Sequence, residues 1–240
     1  MKTKGLISRL WKKIKKWTLI LFIAQFAYII ILKWVNPPLT ITQITNLFLG
    51  YGLKRDYVNE NKISYQAKLA VIASEDQAFP DHNGFDWKSI EKARKYNIRK
   101  PGRVRGASTI SQQTAKNVFL WQGRSWFRKG LEVYFTFMIE NIWGKKRILD
   151  VYLNVIEMGP GIFGIEAASR QYFNKSAQHL TRQQAALIAA CLPNPKKYSV
   201  SPSSAFVNAR GRRISGQMNN LQSDPDIQKV IYPEKISQRK

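Results

Sequence analysis

The longest apolar run of the chain, WTLILFIAQFAYIIILKWV, extends from Trp17 to Val35. As a helix its 19 residues come close to the ~30 Å thickness of a bilayer core. Only Gln25 and Lys33 are strongly polar, and the long stem of Lys33 can carry its ammonium group to the membrane interface. The pattern predicts one transmembrane helix, although a helix buried in a globular core is the alternative that such a run also allows.

Basic residues before this run set its expected orientation. Seven Lys and Arg residues lie within the first 16 positions, and cytoplasmic flanks of membrane spans are rich in them. The following KWVNPPLT offers no small-residue cleavage site of the kind that signal peptides carry. We therefore expect a basic cytoplasmic tail (1–16), an uncleaved anchor (17–35) and a domain outside the cytoplasm.

Beyond the anchor, apolar positions recur mostly with the helical period of 3.6 residues. An amphipathic, membrane-proximal segment (36–63) contains LTITQITNLFLGYG, which could lie on the membrane and includes TITQIT, the clearest strand-like alternation. The rest (64–240) is predicted to be one mainly α domain. Its expected helices cover about 64–76, 87–97, 108–117, 125–143, 145–158, 165–173, 181–193 (opened by a Thr181/Gln184 capping box and stopped at Pro193) and 204–221.

Charge narrows the classes of partner. The chain has 39 Lys and Arg residues against 15 Asp and Glu, a net charge of +24, and most of the excess lies beyond the N-terminal tail. Nucleic acid, anionic lipid and a phosphorylated substrate are the three partners that such a surface suits. Cys191 is the single cysteine, which excludes an intrachain disulfide and a cysteine-based metal site.

The first candidate site is EDQAFPDHNG, which begins with two adjacent carboxylates, Glu75 and Asp76, at the end of an apolar helix. A helix C-terminus disfavours negative charge. The pair is therefore either a solvated helix end or a place where Glu75, beside the apolar LAVIA, serves as a general base. His82 could ligate a metal, but with His179 as the only other histidine a capping or core role is favoured.

The second candidate, RGASTISQQTAKN, places polar groups at helical spacing. One predicted ridge holds Ser108, Gln112 and Lys116, and the neighbouring ridge holds Thr109, Gln113 and Asn117. Hydroxyl, amide and ammonium groups in this density suit a sugar or phosphate ligand, although a solvated polar face is nearly as consistent with the pattern.

In the third candidate, QGRSWFRKGLE, the spacing predicts that Arg124, Arg128 and Glu132 share an i, i+4 helix face. Arginine forks and lysine ammonium groups at this spacing can bind a diphosphate. The alternative is an ordinary Arg128–Glu132 ion pair on the helix surface, which contributes about 0.3–0.5 kcal/mol.

Taken together, EDQAFPDHNG, RGASTISQQTAKN, RKGLE, KKRILDVYLN and GIEAASRQYF resemble the motifs of glycosyltransferase family 51, the transglycosylase domain of class A penicillin-binding proteins. The resemblance runs from about Ala67 to Tyr198 and is closest to the monofunctional, membrane-anchored form. It implies a lysozyme-like helical domain that moves a lipid-linked glycan chain onto the GlcNAc 4-hydroxyl of lipid II. Inversion would give a β-1,4 link and release undecaprenyl diphosphate. The sequence departs from the family at Asp150, where glutamate is expected.

The same resemblance implies roles for individual residues. Glu75 becomes the general base and Glu132 a second essential carboxylate on the donor side. The donor diphosphate would contact Lys116, Arg124, Arg128 and Lys129. The cleft would be shaped by Ser108, Thr109, Gln112 and Gln113. Supporting positions would be Asp76, Phe79, His82, Gly84 and Asn117.

The resemblance also implies partners and location. No obligatory cofactor is expected, and a divalent cation (Mg²⁺ or Mn²⁺) near Glu132 is compatible with the chemistry. Lipid II, the lipid-linked glycan chain and membrane lipids are the expected partners, other cell-wall synthesis or division proteins are further candidates, and nucleic acid is not expected. The protein would be a single-pass protein of the cell inner membrane with a cytoplasmic N-terminus and a periplasmic catalytic domain.

Two other functions are compatible with parts of the sequence. A glycan-cleaving hydrolase or lytic transglycosylase on a lysozyme-like fold would need an acid near Glu75. A membrane-tethered protein that binds nucleic acid or another anionic polymer would depend on charge alone and lose affinity with salt. The S-x-x-K strings Ser89–Lys92 and Ser237–Lys240 lack K-T-G and S-D-N partners, so no transpeptidase activity is expected.

Overall fold

The computed structural model describes residues 2–102 and 104–232. Arg103, the Ser237–Lys240 string and the last residues of the predicted domain therefore lie outside the described residues. Contacts divide the chain into two compact units, Met1–Asn36 and Pro37–Lys240.

The first unit is a single long helix, α1 (Lys2–Ile31). Its segment Ser8–Ile31 is long and apolar enough to cross a membrane, which agrees with the prediction of one N-terminal candidate membrane helix. The helix ends four residues before the predicted limit at Val35, and residues 32–35 form a turn. Because Pro37 disfavours helical geometry at the residue before it, the chain cannot continue as a helix past this turn.

The second unit is mainly helical, as predicted. Its helices are α2 (Ile41–Phe48), α3 (Tyr65–Glu75), α4 (Trp87–Arg99), α5 (Ile110–Phe119), α6 (Trp126–Ile142), α7 (Lys145–Val155), α8 (Ile165–Phe173), α9 (Arg182–Cys191), α10 (Ala205–Leu221) and α11 (Pro225–Ile231). Two 3₁₀ turns, Glu60–Lys62 and Ala177–His179, and three short strands complete it.

Helix α3 lies at the centre of this unit. Every residue from Ala67 to Ala73 is buried, and α3 packs against α9 and α10. On the other side of the core, α5 packs against both α6 and α7. A helix buried along most of its length presents only its ends to solvent, so the C-terminal end of α3, with Glu75, is where it reaches the surface.

Helix α2 corrects the strand-like interpretation of TITQIT. Thr40 and Gln43 form a capping box that starts the helix. The helix buries polar residues, namely Thr42, Gln43 and Asn46, while its apolar side chains Ile41, Ile44, Leu47 and Phe48 are exposed. This is the reverse of the arrangement expected for a surface helix in water.

Two of the strands form at the end of the predicted helix 145–158 and in the following GPGIFG, for which the sequence predicts a loop; α7 instead ends at Val155. Strands β2 (Glu157–Gly159) and β3 (Ile162–Phe163) are antiparallel, and β1 (Lys54–Arg55) pairs in parallel with β3. Gly161 makes this possible: its φ is +68°, and a Cβ there would lie 2.1 Å from the Tyr51 carbonyl oxygen. Strands this short carry too little alternation to be recognised in sequence.

Candidate active site

Glu75 is the last residue of α3, and its side chain is only 12% exposed. Its Oε2 accepts a hydrogen bond from Gln113 Nε2 at 3.0 Å. Its Oε1 lies 3.0 Å from Ser74 Oγ and 3.9 Å from an Arg210 guanidinium nitrogen. The carboxylate thus accepts hydrogen bonds from Gln113 on α5 and Ser74 on its own helix, has the Arg210 cation of α10 nearby, and lines a cavity.

Asp76 has a different environment from its neighbour. Its Oδ2 accepts a hydrogen bond from the backbone N–H of Ile110, the first residue of α5, at 3.0 Å. Both of its oxygens lie 3.0 Å from His82 Nε2. Because Gly84 N–H donates to His82 Nδ1, the ring proton must be on Nε2, facing Asp76. Asp76 therefore ties the end of α3 to the start of α5, and His82 has the structural role that was favoured.

The loop between α3 and α4 packs closely against the start of α5 and against α6. The Thr109 hydroxyl donates to the Gly84 carbonyl at 2.7 Å. Gly84 has φ +89°, and a Cβ there would lie 2.7 Å from Thr136 Cγ2 on α6, so no larger residue fits. Phe79 is fully buried, with Lys145 Nζ 4.7 Å from its ring centroid. These predicted supporting residues hold the loop against α6 and α7.

The start of α5 corrects the predicted ridges. Thr109 is the N-cap, and its capping box with Gln112 uses the side chains of both residues. Ser108 precedes the helix, so it does not share a ridge with Gln112 and Lys116. Asn117 receives a hydrogen bond from Gln122, which also donates to Thr42 on α2. T-x-x-Q was the signal for this capping box, the same pattern that correctly located Thr181 and Gln184.

A second group of charged residues lies on α6. Arg128 donates to Glu132 Oε2 at 2.6 Å, and Lys129 to Glu132 Oε1 at 2.5 Å. Glu132 is 4% exposed and Arg128 10%, so this is not the exposed surface pair of the alternative interpretation. Arg124 does not share their face, because α6 begins only at Trp126, after the N-cap Ser125.

Lys116, on α5, completes what we call the cationic cluster: Lys116, Arg128, Lys129 and Glu132. Burial lowers the pKa of Lys116; the charge of Glu132 opposes this shift, and those of Arg128 and Lys129 add to it. Three cations around one carboxylate leave an excess of two positive charges. Such a cluster is suited to a doubly charged anion.

Two cavities lie along these residues. The first, about 840 Å³, is lined by Glu75, Asp76, Ser108, Thr109 and Gln113 among others. The second, about 610 Å³, is lined by Ser108, Gln112 and Lys129 together with α4 side chains that include Ile90 and Ile98. Ala107 and Ser108 border both cavities, so the two adjoin.

A resident metal ion does not fit the donor set near Glu132. Both carboxylate oxygens are already engaged by Arg128 and Lys129. In the part of the chain that the structure describes, no group of three or more His, Cys, Asp or Glu residues could hold a metal ion. Protein-held Ca²⁺ and Mg²⁺ sites need several oxygen ligands.

Several residues of the site were not found from sequence. Tyr152 on α7 donates to Gln113 Oε1 at 3.2 Å, and Arg210 on α10 lies beside Glu75. The first cavity also has a basic lining, made of Lys88, Lys92, Arg105 and Arg210. Asp150 pairs with Arg147 at 2.5 Å and with Asn154, away from these groups. The helical period could place Arg210 on one face of α10. It could not show that this face packs beside Glu75, which lies more than a hundred positions earlier in the chain.

Asp76→Asn tests the junction between α3 and α5. The amide cannot accept from both Ile110 N–H and His82, so we expect the free energy of unfolding in urea to fall by about 2 kcal/mol. The matched control is Asp81→Asn, which changes an exposed carboxylate of the same loop and should shift stability by less than about 0.5 kcal/mol. Equal effects of the two substitutions would contradict the assigned role.

Comparison with known proteins shows the family of the chain. The family model described as Transglycosylase matches residues 41–219, from α2 to α10. A biosynthetic peptidoglycan transglycosylase of Mannheimia succiniciproducens is 55% identical over 181 residues, covering 75% of this chain and 74% of that protein. One from Escherichia coli is 56% identical over 178 residues, covering 74% of each. The chain therefore belongs to the transglycosylase family and is a peptidoglycan glycosyltransferase.

Proposed function

We propose that the protein lengthens peptidoglycan chains by using lipid II as the acceptor and a lipid-linked glycan chain as the donor. Glu75 takes the proton from the GlcNAc 4-hydroxyl of the acceptor. The oxygen attacks the anomeric carbon of the donor N-acetylmuramic acid, a β-1,4 link forms with inversion, and undecaprenyl diphosphate leaves. The observation that carries this proposal is the pairing of one carboxylate at a cavity mouth with a separate cluster of excess positive charge.

The position of Glu75 suits a general base. Its carboxylate borders the first cavity, where an acceptor sugar has room to bind, and Gln113 fixes one of its oxygens. A base must lie within hydrogen-bond reach of the proton that it removes. Asp76 is not a second candidate, because its oxygens are already used by Ile110 N–H and His82.

The cationic cluster suits the departing diphosphate. This leaving group is stable as an anion, so stabilising its charge is enough, and no proton donor is required. In this role Glu132 holds Arg128 and Lys129 in place. Arg128 Nε donates to the Gly123 carbonyl, so the phosphates would contact the terminal N–H groups of Arg128 and Lys129. Arg124 precedes α6 and is exposed; its contact with the diphosphate remains a prediction. A divalent cation, if used, would arrive with the diphosphate.

The hydrolase alternative lacks its acid. Cleavage of a sugar–sugar bond needs a protonated carboxyl group beside the second carboxylate. Asp86 also lines the first cavity, and its pKa is lowered: burial acts to raise it, but hydrogen bonds from Ser89, the charge of His82 and the backbone N–H of Lys88 together lower it by more. An ionised Asp86 is unsuited to protonating a leaving group.

The reversed polarity of α2 supports a membrane-facing surface. Leu47 is 54% and Phe48 85% exposed on α2, and a second apolar stripe on α6 exposes Trp126 and Phe137, 93% and 59% respectively. We propose that these faces lie at the bilayer interface, with the basic N-terminus cytoplasmic and the catalytic unit on the other side. Enzyme and lipid-linked substrates then share one membrane, which raises their effective concentration.

Glu75→Gln tests the base. We expect polymerisation of labelled lipid II to fall by about 10²–10⁴-fold, because the amide cannot accept the proton. Polymer is measured with purified protein in detergent and identified by its sensitivity to lysozyme. Glu91→Gln, which changes an exposed carboxylate paired with Lys95, is the matched control and should keep wild-type activity. A folded Glu75→Gln protein that polymerises at the wild-type rate would refute the proposal.

Glu132→Gln tests the cationic cluster. Removing the carboxylate leaves Arg128 and Lys129 without their shared counter-ion, so the unfolding temperature should fall and polymerisation should be lost. Inorganic diphosphate should raise the unfolding temperature of this variant by more than that of wild type, since it replaces the missing negative charge. An equal rise in both proteins would show that the anion binds elsewhere.

Leu47→Gln with Phe48→Gln tests the membrane-facing surface. Both side chains are exposed, so the unfolding temperature should not change, whereas turnover of lipid II in proteoliposomes should fall severalfold. Trp87→Gln, which changes a side chain that is 72% exposed on α4 and lines neither cavity, is the control for adding a polar side chain. Unchanged turnover in the double variant would place this surface away from the bilayer.

A further inference from the structure

Tyr152 is the largest side chain that is fully buried in the described part of the chain, and the proposed chemistry leaves its hydroxyl without a role. The hydroxyl nevertheless reaches the site through one intermediate. It donates to Gln113 Oε1 at 3.2 Å, and Gln113 Nε2 donates to Glu75 Oε2 at 3.0 Å. Three helices, α7, α5 and α3, are joined by these two hydrogen bonds.

The direction of the two bonds is determined by chemistry. Burial raises the pKa of Tyr152 well above its ordinary value of 10.0, and the charges of Glu75 and Asp76 raise it further. The hydroxyl therefore stays protonated and can donate to the carbonyl end of the Gln113 amide. The other end of the amide, the NH₂ group, must then face Glu75. Reversing the amide would place Gln113 Oε1 against the Glu75 carboxylate oxygen. Both oxygens are acceptors, so this contact is unfavourable.

We propose that Tyr152 is a positioning residue for the base: its hydroxyl fixes the Gln113 amide, which in turn orients the Glu75 carboxylate toward the acceptor. This inference rests on the proposed function, since it gives Tyr152 a task only if Glu75 is the base. Without the hydroxyl, Gln113 Oε1 loses its partner, and the amide is held only by its contact with Glu75, so its position is less tightly fixed. The carboxylate would then hold its reactive geometry for a smaller fraction of the time.

The pH dependence of the reaction can report this arrangement, because a lost N–H donor disfavours the ionised form of a carboxylate. The other groups around Glu75 are Asp76 on its own helix and Arg210 on α10. From α9 come the Ala189 carbonyl, which faces Ser74, and Cys191. The lining of the first cavity contributes Asp86, Lys88, Lys92 and Arg105. Removing one hydroxyl from α7 alters none of these.

The experiment compares Tyr152→Phe with Tyr172→Phe in the full chain, with labelled lipid II in detergent. For Tyr152→Phe we expect kcat to fall about tenfold with KM unchanged, and the acidic limb of the pH–rate profile to move to higher pH. Tyr172 donates to the Met158 carbonyl at 3.2 Å, away from Glu75, so Tyr172→Phe should keep the wild-type kcat and profile. A profile of Tyr152→Phe identical to that of Tyr172→Phe overturns the proposal.

A double-mutant cycle separates positioning from simple stability. Gln113→Met removes both hydrogen bonds, so it should shift the acidic limb in the same direction, and Tyr152→Phe should then add nothing further. Fully additive losses, or no shift in Gln113→Met, overturn the proposal even where Tyr152→Phe folds poorly. Failure of the proposed function gives a different result. If Glu75 is not the base, Glu75→Gln remains active. If only the positioning role of Tyr152 is wrong, Glu75→Gln is inactive and Tyr152→Phe behaves like the wild type.

Discussion

The geometry of the site depends on the contact between Asp76 and the first turn of α5. A carboxylate at the C-terminal end of α3 is disfavoured by the dipole of that helix, but Asp76 also stands at the N-terminal end of α5, where negative charge is stabilised. Its hydrogen bonds to Ile110 N–H and His82 join the two helices. Glu75, one residue earlier, is thereby placed beside Gln113, one turn into α5. The adjacent carboxylates have separate tasks: one holds the junction, and the other is left at the cavity.

Helix α5 also connects the two halves of the proposed chemistry. Gln113 donates a hydrogen bond to Glu75. Lys116 lies three residues further along α5, and the charges of Glu132, Arg128 and Lys129 on α6 act on its ammonium group. A reaction whose leaving group is already a stable anion needs one base and one region of excess positive charge. The described residues supply these two things on neighbouring elements, and the exposed apolar faces of α2 and α6 add a surface suited to lipid-linked substrates.

The sequence predicted much of this arrangement, because helix signals are local. Ser64 and Asp76 bound α3 close to the predicted limits, and the Thr181 capping box begins α9 as expected. The predictions were wrong where one pattern fitted two structures: TITQIT alternates like a strand yet forms α2, and its polar face is turned inward. Ser108 and Arg124 were placed on helices that begin two residues later, since the N-caps Thr109 and Ser125 were not identified.

Contacts between distant parts of the chain could not be predicted in this way. Arg210 and Tyr152 reach the site through the packing of α10 and α7, which no local pattern records. Charge indicated an anionic partner but not which residues would gather. The family resemblance named the members of the cationic cluster, whereas local patterns could not group them, because the cluster depends on the packing of α5 beside α6.

The most direct test of the account is a structure of the full chain bound to an unreactive lipid-linked donor and a lipid II acceptor. The account predicts the acceptor 4-hydroxyl oxygen within about 3.2 Å of a Glu75 oxygen. It also predicts the donor diphosphate in contact with Lys116, Arg128 and Lys129. An acceptor hydroxyl held by another carboxylate, or a diphosphate bound away from these three cations, would contradict it.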